Sequence, residues 1–464
     1  MNTPIYDFVT EYMAQNKTRM HMPGHKGHVF LGGEPRDITE IYGADVLHHA
    51  KGIIQESQEN ARAIFGTGKT FYSTEGSSLC IKAMLDALAW QGTGRTLVAA
   101  RNVHRSMIDA CGLLDLTVEF VQGEETQSIC TSILSPKSLA VHLSGMEQPP
   151  LGVYVTSPDY LGNCQDIAGL AKVCKQFGVP LVVDNAHGAY LHFLEPSWHP
   201  MDLGAAMCCD SAHKTFPVLT GGAYLHVAAE WVERFARRIP QGMALFGSTS
   251  PSYLILQSLD LCNAYLTDGY AHKLEVFLQR VRQCRMVFDE AGYVLEEGAD
   301  PLKLTIDTKG FAIDGEILEQ QLREADIECE YADRQYVVCM LTPENTEQDL
   351  ERLERFAKEH PASRVTESSD HAQAEWRLPS ATRRRCSIRE GIFAPSEEVR
   401  VEEAVGRICA AETVACPPAV PIAICGEEIT EEMVKYFKMY GIEKVSVLVK
   451  ETSICYTAKW GIGN

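Results

Sequence analysis

Three short segments of this sequence combine residue types suited to handling a carbonyl carbon, a buried cation and a phosphate. In DSAHKTFPVLTGGAYLH, Lys214 stands between a polar run and a loop rich in Pro and Gly. A lysine held out of water turns nucleophilic toward a carbonyl, because burial disfavours its ammonium form. Taken alone, the same lysine reads as a solvated surface residue. Thirty residues upstream, PLVVDNAHGAY places Asp184 at the carboxyl end of an apolar strand, where open α/β sheets present ligand-contacting groups. A carboxylate buried there calls for a cation, whereas one near the surface would merely cap a loop. In FYSTEGSSLCIKAMLDAL, Gly76, Ser77 and Ser78 open an amphipathic helix. The free N–H groups and positive dipole end of such a helix suit a phosphate, with plain serine capping as the simpler alternative.

These segments need a scaffold, and the surrounding pattern predicts one. Between about residues 57 and 265, short β-rich apolar runs alternate with amphipathic stretches, which predicts an α/β domain with a mostly parallel sheet. TLVAA (96–100), LGVYVTS (151–157) and PLVVDNA (180–186) read as strands. Between the last two, Ile167, Leu170, Ala171 and Val173 or Cys174 recur at helical spacing before a stop at Gly178. The whole chain divides into an amino-terminal segment (1–56), a large domain (57–270), a small α+β domain (271–359), a polar linker (360–376) and a carboxy-terminal domain (377–464). In the small domain HKLEVFLQRVRQCRMVFDEAG and ILEQQLREA read as helices and PLKLTIDT and YVVCMLT as strands; the last domain carries a Pro-rich turn at 417–421, then a helix and a strand.

Composition narrows the partners. A net charge of −20 opposes nucleic acid and anionic lipid, and no apolar stretch approaches the roughly 20 residues that span a bilayer. The amino-terminal residues lack the basic-then-apolar pattern of a secretory signal, so a cytoplasmic location is expected. The sixteen cysteines are scattered, form no CxxC pair, and include Cys208 and Cys209, which a strand would point to opposite faces. Reduced thiols and no metal site are expected.

The order phosphate loop, strand-end aspartate, lysine matches that of fold-type I pyridoxal-phosphate enzymes, in which a protonated pyridine nitrogen is the cation and a lysine carries the cofactor as a Schiff base. The chain resembles the Orn/Lys/Arg decarboxylase family, in a short form without an amino-terminal wing domain. The resemblance runs over nearly the whole sequence through RMHMPGHKG (19–27), DVLHHAKG (45–52), TEGSS (74–78), RNVHRS (101–106), DNAHGA (184–189), SAHK (211–214), STSPSY (248–253) and REGIFAP (389–395). It implies that Lys214 carries pyridoxal 5'-phosphate, that Asp184 meets the pyridine nitrogen, and that His104 stacks on the ring with Ala186 on the opposite face. Gly76, Ser77, Ser78, Ser211 and His213 would surround the phosphate. It also implies a homodimer or larger homo-oligomer, with Ser248 or Thr249 reaching the phosphate of the neighbouring subunit. The implied reaction converts lysine, arginine or ornithine to CO2 and a polyamine-type amine, with His213 or Lys214 returning a proton to the α-carbon.

Other readings remain at this level. An aminotransferase or aldol-type lyase on the same fold would release a keto acid or aldehyde instead of CO2 and an amine. A catalytically silent homologue is opposed by the presence of both Lys214 and Asp184. The sequence departs from the family in CPPAVPIAICGEE, where Cys416, Ala419 and Cys425 replace Tyr, Gly and Pro, which leaves a substrate role for Glu427 open. Tyr190 stands where a histidine is common and Ala50 where proline is usual. No acidic residue is singled out as the partner of the substrate's distal cation.

Overall fold

The computed structural model describes residues 1–91, 94–121, 123, 128, 130–298, 300–363, 383–414 and 420–449. Its centre is a seven-stranded sheet of β1 (Lys69–Ser73), β2 (Thr96–Ala100), β3 (Thr117–Val121), β4 (Val153–Thr156), β5 (Leu181–Asp184), β6 (Met207–Asp210) and β7 (Ala223–Val227). The spatial order is β1-β7-β6-β5-β4-β2-β3. Only β7 runs against the others, pairing antiparallel with both β1 and β6.

Helices cover both faces, which is why the central strands are apolar throughout instead of alternating. The helices of this region include α1 (Pro4–Ala14), α2 (Ile53–Ile64), α3 (Gly76–Gln91), α4 (Arg105–Leu114), α5 (Pro136–Gly145), α6 (Ile167–Phe177) and α7 (Ala212–Thr215). One face packs Leu97, Val182 and Cys209 against Met84 of α3 and Met107 of α4. The other packs Val98, Val183 and Cys208 against Leu139 of α5 and Leu170 of α6. Cys208 and Cys209 therefore do point to opposite faces. The α6 helix starts where Asp166 Oδ1 accepts from Gly169 N–H at 2.9 Å and ends at Gly178 with φ of 67°.

A second, antiparallel sheet has the order β10-β11-β9-β8, from β8 (Val294–Leu295), β9 (Lys303–Asp307), β10 (Tyr331–Ala332) and β11 (Tyr336–Met340). Helices Tyr270–Glu290, Gly315–Glu324 and Glu347–Glu359 flank these strands along the chain. Toward the carboxy terminus, β12 (Ser396–Arg400) pairs with β15 (Lys444–Leu448), and β13 (Thr413–Val414) with β14 (Ala423–Ile424). The expected linker beyond residue 363, together with Cys416 and Ala419, lies outside the described residues. Among the described residues, no helix is long and apolar enough to cross a membrane, and all fourteen cysteines lie outside disulfides.

Candidate active site

The carboxyl ends of the parallel strands gather the residues singled out in the sequence. Asp184 is the last residue of β5 and is 3% exposed. Its Oδ1 accepts from Ala186 N–H at 3.2 Å, and its Oδ2 from the Tyr154 hydroxyl at 3.3 Å. The Cys209 thiol points at Oδ1 from 3.7 Å. These contacts are few and long for a buried carboxylate, leaving capacity for a further donor.

Lys214 lies four residues past β6, on the single turn of α7, and not on the strand end itself. Its Nζ is 2.9 Å from His187 Nε2 and 5.9 Å from the centroid of the Tyr160 ring. Burial pushes the Lys214 amine below the ordinary lysine range, against the opposing pull of Asp184 and Glu330, while Lys303 adds to the depression. Burial likewise holds His187 well below the usual imidazole value, reinforced by Lys303 and Lys214.

His104 caps α4, its Nδ1 accepting from Ser106 N–H at 3.1 Å, so that a neutral ring carries its proton on Nε2. Burial lowers its pKa; Asp184 opposes this shift and Lys214 adds to it. His104, His187, Asp184 and Lys214 thus form one electrostatic group. Tyr160 meets His187 edge-on at 4.9 Å and Tyr331 at 5.8 Å, which brings residues of the main sheet and the second sheet to one wall.

The serine cradle assembles beside them. Gly76 opens α3 with φ of 70°, a conformation that favours glycine, and its N–H donates to Gly221 O at 2.7 Å. A Cβ there would find only His213 Cε1, at 4.0 Å. The Ser211 hydroxyl donates to Ser77 Oγ at 2.9 Å and does not cap its own helix. Both the backbone N–H and Nδ1 of His213 are tied to Gly222 O, at 3.2 and 3.0 Å. Burial lowers the His213 pKa, which the bond to Gly222 O opposes. Ser78 is half-buried on the same turn, and Ala186 follows β5 with 9% exposure. Ser248 and Thr249 sit in an exposed loop, tied through Ser248 N–H to Glu75 Oε1 of the same chain at 2.6 Å.

The residues present fit pyridoxal phosphate. The turn at Gly76, Ser77 and Ser211 forms an open cradle at the start of a sixteen-residue helix, where first-turn N–H groups lack helical acceptors. Buried His187 Nδ1, Asn102 Nδ2 and Thr215 Oγ1 also lack partners among the described residues. His187 was legible as part of DNAHGA but received no role from the sequence; Tyr154, Tyr160 and Tyr331 carried no local signal. Glu427, left open in the sequence, is 1% exposed and occupied by Arg101 at 2.8 and 2.9 Å.

A mostly parallel sheet whose adjacent strand ends supply the aspartate and, one turn later, the lysine defines the fold-type I architecture of pyridoxal-phosphate enzymes. The solved structure of lysine decarboxylase A from Pseudomonas aeruginosa shares this fold, with a TM-score of 0.81 at 17% identity over 96% of this chain and 80% of that one. Residues 3–297 match the sequence model described as Orn/Lys/Arg decarboxylase, major domain, and residues 379–444 match its C-terminal domain. The arginine decarboxylase of Bacillus subtilis is 30% identical over 457 residues, covering 94% of this chain and 92% of that protein. Lysine decarboxylase LdcA of Pseudomonas aeruginosa is 22% identical over 299 residues, covering 57% of this chain and 40% of that protein. The chain belongs to the Orn/Lys/Arg decarboxylase family, and is an amino-acid decarboxylase for which that family implies pyridoxal phosphate.

Proposed function

We propose that this protein decarboxylates L-arginine, releasing CO2 and the corresponding amine, agmatine. The carrying observation is the buried Lys214 amine, 2.9 Å from His187 and under the field of Asp184. The choice of arginine is supported by the similarity to arginine decarboxylases along nearly the entire chain, against a shorter and weaker match to lysine decarboxylase. When bound, pyridoxal phosphate supplies the conjugated electron sink that takes up the electron pair left by the departing CO2.

The chain's own residues do the rest. Lys214 holds the cofactor through its amine, which burial keeps in the reactive neutral form more readily than that of a surface lysine. Asp184, oriented by Tyr154 and Ala186 N–H, would supply negative charge to the pyridine nitrogen. Gly76, Ser77, Ser78, Ser211 and His213 would hold the phosphate, and His104 and Ala186 would take the two ring faces. His213 is pinned through Nδ1 to Gly222 O on the cradle side, whereas Lys214 shares a hydrogen bond with His187. We therefore assign the proton returned to the α-carbon to Lys214, with His187 orienting its amine.

The working unit is a homodimer in which Ser248 or Thr249 serves the neighbouring site, and the protein acts in the cytoplasm in polyamine biosynthesis. Exposed Met20, Phe30, Leu31 and Tyr42 support association, since so many large apolar groups rarely face water on a monomer. The test is CO2 release from L-arginine, L-lysine and L-ornithine by the cofactor-loaded protein, with Lys214→Ala as control. Release from arginine alone is expected; preference for either other substrate overturns the arginine assignment, and release from none overturns the basic-amino-acid reading.

A further inference from the structure

The helix that presents His104 is gripped by the carboxy-terminal part of the chain at both ends. At its amino end, the buried Arg101 guanidinium follows directly on β2 and spends its hydrogen bonds on residues 421–427. Nη1 and Nη2 meet Glu427 Oε1 and Oε2 at 2.9 and 2.8 Å, Nε donates to Pro421 O at 3.0 Å, and Nη2 also donates to Ile422 O at 3.2 Å. At the first residue of α4, Arg105 Nη2 pairs with Glu412 Oε1 at 3.0 Å. At the other end, Arg389 Nη1 donates to the carbonyls of Gly112 and Leu113, both at 3.1 Å, capping α4. Between these points Ile388 and Ile392 pack so closely that a Cβ on Gly112 would lie 2.4 Å from Ile392 Cδ1. RNVHRS, REGIFAP and the PIAICGE part of the altered carboxy-terminal motif are thereby parts of one contact.

A buried bidentate ion pair is a poor means of holding two units together for stability alone, because desolvation offsets much of its attraction. What it gives is a fixed direction, since the guanidinium fork admits one arrangement of two carboxylate oxygens. We propose that the carboxy-terminal unit is a positioning clamp that sets His104 against the cofactor ring, with Glu427, Glu412 and Arg389 as its contact points. The proposal rests on His104 being the ring-facing residue. Glu427 is thus a positioning residue that touches no substrate, and the family's carboxy-terminal motif acts at a distance through Arg101 and the turn 101–104.

The test uses Glu427→Gln and Arg389→Ala, each in the native chain and in a His104→Ala background. Cofactor dissociation constant, visible circular dichroism of the bound cofactor, kcat and KM are measured on the full-length protein. Glu427→Gln is expected to weaken cofactor binding and lower kcat, each about 10-fold, with KM nearly unchanged, because small misplacements of an oriented group are costly. In the His104→Ala background the same change should cost less than about 2-fold, the non-additivity of residues acting through one another. Arg389→Ala should repeat the pattern at smaller amplitude and carries the test if Glu427→Gln fails to fold. Equal losses in both backgrounds, or no loss from either variant, overturn the clamp. If His104→Ala leaves cofactor binding and kcat intact, the reading of His104 falls and the clamp with it, an outcome distinct from additivity.

Discussion

Asp184 and Asp210 end neighbouring strands of one sheet, both buried, and the protein surrounds them in opposite ways. Asp210 accepts from Asn185 Nδ2 at 2.7 Å, from His199 Nε2 at 3.0 Å and from His226 Nε2 at 3.2 Å. Burial pushes its carboxyl up, yet His199 and His226 outweigh this and hold it well below the usual range. Asp184 has one phenol and one backbone N–H, both beyond 3.1 Å, and a thiol. A carboxylate with its partners complete serves the fold; one with partners missing waits for a ligand to complete it.

The largest effect that sharpens this contrast is at the open site. Lys214→Ala should abolish CO2 release and the cofactor's visible absorbance band, and Asp184→Asn should lower kcat by about 10²- to 10³-fold, the scale of removing one preorganised electrostatic group. Neither should move the urea unfolding midpoint of the cofactor-free protein far. Asp210→Asn should do the reverse, destabilising the fold by about 3 kcal/mol in urea titration because it leaves buried imidazoles without their anion. Unchanged stability with lost turnover in Asp210→Asn would break the comparison. A smaller change, Tyr154→Phe, removes one long hydrogen bond to Asp184 and should reduce kcat by about 3- to 10-fold, as a net bond of about 1 kcal/mol implies.

The smallest effect is acid sensitivity. Asp210 has a folded pKa below its unfolded value of 3.8, so the stability it contributes is present above 3.8 and is lost as pH falls through the folded value. Burial of His226 lowers its folded pKa below 6.5, so unfolding takes up a proton there and stability starts to fall on acidification from about that pH. In a plot of unfolding free energy against pH, Asp210→Asn should flatten the limb below pH 3.8, where the carboxyl itself titrates, and steepen it between 6.5 and 3.8, because it removes the anion that raises His226; Asp184→Asn should leave the His226 part in place.

Much of this was legible in the sequence because it is local. The helix after β4 was visible in its apolar period from Ile167 and its stop at Gly178, and β2, β4 and β5 were visible as apolar runs. Two helices and two strands of residues 270–340 followed their hydrophobic periods in the same way, whereas the two-residue strands β8 and β10 are too short to show one. SAHK has no periodicity that separates a strand end from a short helix, so the helical turn that carries Lys214 was not legible. The wall of Tyr160 and Tyr331 and the Arg101–Glu427 pair join residues 171 and 326 positions apart, a separation that no window of sequence can register. His187 lay inside a quoted motif, but its reach to Lys214 depends on how the turn after β5 bends.

The pairing of β1 with β7 has a consequence for the order in which the molecule is made. Gly76 is fastened to Gly221, and β1 finds its partner only when residues 223–227 are available, about 150 residues after it leaves the ribosome. At roughly 5–20 residues per second, that is a wait on the order of 8–30 s during which β1 is an unpaired edge. The turn at Gly76, the proposed phosphate cradle, is therefore among the last local structures of the large unit to close during synthesis. Cofactor supplied early in translation should find nothing to hold it, and nascent chains halted before residue 221 are expected to be prone to strand-to-strand aggregation.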